Sequence, residues 1–104
     1  MASKSKNSTV STPLGIHELE LALIREMAAW RDWDLVNAAE ELRLMKRICK
    51  KIDWVEDYLP LVDELNTKIK YAEKTVKNKD TTLIGAAHTN LQQAVFDLRD
   101  RLYK

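Results

Sequence analysis

Between Ile16 and Leu59 the chain has neither glycine nor proline, while its apolar residues return every three or four positions. A stretch without those two residues has few sites suited to a reversal, and this spacing commits it to helix. Ile16, Leu19, Leu23, Met27 and Trp30 form one apolar set, and Ala38, Leu42, Met45, Ile48, Cys49 and Ile52 form a second. At about 100° per residue both sets fall on the same side of a single straight helix. A helix continuous from about residue 15 to 52 is therefore expected. Asp34 opposes it, because it stands near the centre of the stripe and, like Asp32, is a competent N-cap. A break near 31–34 is the alternative.

The remaining helices are marked more plainly. Asp53 and Glu56 have the spacing of a capping box, and Lys46, Arg47, Lys50 and Lys51 before them suit a helix C-terminus, so the first element should end near Ile52. Pro60 disfavours a regular helix from Trp54, which places a short turn at 54–58 and the next helix at about 58–78. Val62, Leu65, Ile69, Ala72 and Val76 are its stripe. The run Lys77-Asn78-Lys79-Asp80 reads as a helix end and a new cap, with Asp80 or Thr81 opening a helix over about 81–103. Ile84, His88, Leu91, Val95, Leu98 and Leu102 alternate four and three along it, the seam of an antiparallel pair. The expected fold is an all-α antiparallel bundle of three long helices, or of four if the first is broken. Residues 1–13, polar until Pro13, are expected to be a disordered tail closed by Pro13 and Gly15, and 14–104 to be one helical domain.

Continuity of the first helix bears on oligomeric state. At 1.5 Å per residue that helix is ~55 Å long, against about 30 to 35 Å for each of its partners. Leu21, Ile24 and Ala28 also widen its apolar face beyond a single stripe. A continuous helix would expose that overhang, and a homodimer in which two copies cover each other is the expectation. A break would instead close the chain on itself as a four-helix bundle.

Seventeen basic and sixteen acidic residues leave a formal charge of +1, so no net field directs the chain to nucleic acid or to an anionic surface. No apolar run approaches the ~20 residues of a membrane span, and the N-terminus lacks the apolar core of a secretory signal. With one cysteine, the expected location is the cytoplasm. Asn7-Ser8-Thr9 matches a glycosylation acceptor that such a location would leave unused.

Candidate chemistry is sparse, and no cofactor, metal or catalytic residue is expected. His17, Glu18 and Glu20 lack the Glu-x-x-His pairs of a bundle metal site, and the acids suit a helix N-terminus. Cys49 reads as a small buried hydrophobe. His88 occupies a seam position, and a continuous first helix would turn Asp34 inward too, making Asp34 and His88 a possible buried polar pair with a register or pH role. Gly85 suggests a close helix crossing. Trp30 and Trp54 fit the core, whereas Trp33, Tyr71 and Phe96 fall off their stripes and belong to a residue class enriched at interface hot spots. With Leu21, Ile24 and Ala28 they are the candidate partner-binding residues. The expected function is non-enzymatic association with a protein partner, as an adaptor, assembly factor or regulator, with self-association. Accessory nucleic-acid binding through the basic helix ends is the alternative, and a metal or redox bundle ranks below both.

Overall fold

The computed structural model describes residues 10–103. Among them are four helices, α1 (Thr12–Arg31), α2 (Leu35–Lys51), α3 (Leu59–Lys77) and α4 (Ile84–Leu102), with two short strands, β1 (Val10–Ser11) and β2 (Ile52–Asp53), and a 3-10 turn at Glu56–Tyr58. The fold is an all-α helical bundle. Each helix packs against its neighbour in sequence and α4 returns to α1, so the four form a closed ring.

The first helix does not run through. After Arg31 the chain turns at Asp32-Trp33-Asp34, where Trp33 has φ 60°. The Asp34 amide donates to the Ala29 carbonyl at 2.8 Å and the Trp33 amide to that of Trp30 at 2.9 Å, the paired bonds that close a helix around a left-handed residue. Asp34 then caps α2: its carboxylate accepts from the Asn37 amide at 3.3 Å and from the Asn37 side chain at 2.6 Å. The carboxylate is exposed rather than inward, so it satisfies orphan amides instead of costing a buried charge. The common phase of the two stripes reflects two helices that each bury a face in one core. The same construction recurs between α3 and α4, where Lys79 has φ 52° and the Asp80 amide reaches the Thr75 carbonyl at 2.9 Å. Asp80 accepts from the Thr82 and Leu83 amides at 3.0 Å each, as the expected cap would, but residues 81–83 form a turn and α4 itself begins at Ile84 rather than at Asp80 or Thr81.

Residues paired across α1 and α2 count in opposite senses. Gly15 lies against Ile52, and Arg25 donates to Glu41 at 3.1 Å. Gly15 is the close approach in this fold, because a Cβ there would overlap the Ile52 side chain, while one at Gly85 would meet nothing within 4 Å. The crossing expected at Gly85 is therefore absent.

The chain segment before α1 is tied down more tightly than its polarity suggests. Val10 and Ser11 pair in parallel with Ile52 and Asp53. Thr12 is buried; its hydroxyl donates to the Asp53 carbonyl at 3.0 Å and accepts from the Val55 amide at 3.3 Å. Pro13 lies in the first turn of α1, where its missing N–H is no loss, and Gly15 is inside the helix rather than ahead of it. The part of the expected tail at 1–9 lies outside the described residues. Asp53 and Glu56 form no capping box: Asp53 is in β2, and the turn beginning at Glu56 has no side-chain cap.

Every expected stripe residue of α2 through Ile52 and of α3 is buried, as are Ile16, Leu19, Leu23 and Met27 in α1 and the α4 seam from Ile84 to Leu98. Trp30, Trp54 and Leu102 pack partly buried against this core. Truncating one such buried leucine to alanine costs about 2 to 5 kcal/mol, a large fraction of the stability of a domain this size.

Candidate functional site

The α1–α4 seam carries the chemistry that the stripes did not foretell. Glu26 of α1 and His88 of α4 are both fully buried, and Glu26 Oε2 lies 2.5 Å from His88 Nε2. His88 Nδ1 lies 2.8 Å from the Ile84 carbonyl, which can only accept, so Nδ1 carries the proton. A hydrogen between Nε2 and Glu26 Oε2 closes the contact, and burial favours the carboxyl form of Glu26 as its donor. Burial raises the Glu26 carboxyl above its ordinary value of 4.5; the hydrogen bond and charge of His88 oppose the rise and the Glu41 carboxylate adds to it. Trp30, one turn after Glu26, stacks on the His88 ring at 4.8 Å and 25°. Glu26 Oε1 and Trp30 Nε1 are buried without a hydrogen-bond partner among the described residues. The partner expected for His88 was Asp34. Asp34 is instead exposed at the head of α2, and Glu26, two turns earlier, holds the inward position.

The exposed rim of this seam is a trough of about 420 Å³. Leu23, Ile24, Met27 and Ala28 form the α1 side, with Phe96 on α4. Ile24 is 64% exposed. Glu20 accepts from Arg99 at 3.1 Å across the trough, the Arg99 guanidinium lies 4.6 Å above the Phe96 ring, and Arg31 and Gln92 complete the lining.

Of the six candidate partner-binding residues, Ile24, Ala28 and Phe96 thus meet at one place. Leu21 lines a separate cleft between α1 and α2, beside Leu44 and Ile48. Trp33 stands 45% exposed in the α1–α2 turn, and Tyr71 39% exposed on α3. Neither lines the trough. Glu26 was missed because an acid between Ile24 and Met27 reads as solvent-facing; its position seven residues after Leu19 and three after Leu23 was the available signal.

Cys49 is buried and its thiol is pushed up to about 12, which keeps it a neutral, apolar group at ordinary pH. Among the described residues no group of three or more His, Cys, Asp and Glu side chains is placed to hold a metal ion, and no helix is long and apolar enough to cross a membrane. The chain matches no family model, no curated protein and no solved structure.

Proposed function

We propose that this is a non-enzymatic cytoplasmic protein that works by association, as an adaptor, assembly factor or regulator of a larger protein, and that the α1–α4 trough receives an apolar side chain of that partner. The convergence of Ile24, Ala28 and Phe96 on one trough carries this reading. Ile24 projects into water beside an apolar floor, and a partner that covers both removes apolar surface from water at about 25 cal/mol per Å². The Glu20–Arg99 pair and Arg31 give the rim a fixed pattern of charge that selects register more than it adds affinity. Behind the trough, Glu26 and His88 are bonded to each other and face no solvent, which suits a fixed wall better than proton transfer to a substrate.

The break after Arg31 removes the overhang that called for mutual covering by two copies, so the favoured occupant is a different protein and a second copy is the alternative. A photo-crosslinking residue at position 28 tests the reading in cells. A discrete crosslinked species should form, and Ile24→Asp, at an exposed position, should abolish it while leaving the far-ultraviolet circular dichroism unchanged. A species containing two copies of this chain, lost in the same variant, would make self-association the function of the trough. An equal yield of the same species with and without Ile24→Asp would remove the trough as the contact surface.

A further inference from the structure

On the other side of the ring, α2 and α3 enclose a second trough, of about 700 Å³, whose composition differs from the first. Its floor is Leu35, Val36 and Ala39 of α2 with Val76 of α3. Val36, in the first turn of α2, is 73% exposed, the highest value among the large apolar residues of the four helices. Its rim is Arg43, Lys70, Lys74 and Lys77, with Glu73 the one acid lining it. Glu73 is already engaged by Lys46 at 3.2 Å, and among the described residues none of the four rim cations has an ion-pair partner. The basic ends of α2 and α3 suit their helix dipoles, but dipoles do not require the cations to surround apolar side chains.

We propose that the α2–α3 trough docks an acidic amphipathic helix of a partner protein, with the apolar face of that helix on Val36 and its flanking carboxylates among the four cations. Charge complementarity chooses the occupant: each partner carboxylate meets an uncompensated cation near a low-dielectric floor, where attraction exceeds that in open water. The floor separates this partner from a nucleic acid, since phosphates have no use for Val36 and no aromatic ring lines the trough for a base to stack on. The residues belong to α2 and α3 alone, so this surface is independent of Ile24 and Phe96.

The probe is a synthetic peptide of about 16 residues with leucine at i, i+3, i+4 and i+7 and glutamate on both flanks, measured by fluorescence anisotropy against a scrambled peptide of equal composition. The patterned peptide should bind the full chain at least about tenfold more tightly than the scrambled one, with affinity falling as salt rises. Val36→Asp, at an exposed position, should weaken it by about tenfold or more, as should Lys74→Glu combined with Lys77→Glu. Ile24→Asp should leave it unchanged, which separates this result from any failure of the α1–α4 reading. Equal binding of the two peptides would overturn the proposal. So would tighter binding of a single-stranded oligonucleotide that Lys74→Glu with Lys77→Glu weakens and Val36→Asp does not, because the cations would then be serving phosphates.

Discussion

Glu26 is the residue at which sequence and structure part most instructively. Periodicity places position 26 within the buried arc of α1, but residue type assigns it to solvent, and only the partner on another helix resolves the conflict. His88 was legible as a seam residue; its partner was not, because pairing across 62 positions depends on how α1 and α4 meet. The raised Glu26 pKa has a definite thermodynamic sign. The folded state keeps a proton that the unfolded chain gives up above about 4.5, so the stabilisation is full below that pH and is lost as pH rises through the interval up to the folded value. Chemical denaturation across this interval should show stability declining by up to ~1.4 kcal/mol per pH unit. Glu26→Gln keeps an N–H for His88 Nε2 and should flatten that decline while remaining folded; an unchanged slope would mean that Glu26 is ionised in the fold. The two glycines make a second residue-scale contrast. Gly15→Ala should destabilise by about 1 to 3 kcal/mol, because buried Ile52 has to move, whereas Gly85→Ala should stabilise by up to about 1 kcal/mol. Thermal melts of the pair check both signs.

At the scale of elements, stripes and helix ends were read well where the residues carry the signal. Pro60 lies in the first turn of α3, and the stripe of α3 is buried throughout. The break between α1 and α2 was hidden by its composition, since the left-handed position that glycine ordinarily fills is held by tryptophan, as it is by lysine between α3 and α4. What both turns share is an aspartate directly after the left-handed residue, Asp34 in one and Asp80 in the other, whose carboxylate accepts the amides of the following turn. That Asp was visible in the sequence, but its partner signal was not. A bulky side chain at φ 60° carries a conformational cost, so Trp33→Gly should raise stability by up to about 1 kcal/mol, less whatever the half-exposed ring contributes by packing. A loss of 2 kcal/mol or more in urea titration would mean that the ring holds the turn together. The β1–β2 pair lay beyond sequence reading altogether, because two-residue strands have no periodicity to detect.

For the whole molecule, the turn at Trp33 changes what the chain presents. A helix through residue 52 would have left an apolar overhang in need of a second copy. The hairpin instead returns α2 along α1 and lets four helices close around one core, leaving a mixed-charge trough at α1–α4 and a basic one at α2–α3. Ile24, Ala28 and Phe96 line one trough because off-stripe apolar residues on a closed bundle must face either a helix boundary or solvent. Which boundary each faces is set by the ring, and periodicity within one helix does not encode it. The hairpin on which the ring depends is tested most directly by the contact between Gly15 and Ile52. A nuclear Overhauser effect from the Gly15 α-protons to the Ile52 methyls, recorded at low concentration with isotope filtering on mixed labelled and unlabelled chains, should be strong and intramolecular. In a continuous helix these groups would stand about 55 Å apart, so its absence, or its appearance only between chains, would contradict the hairpin and both surfaces built on it.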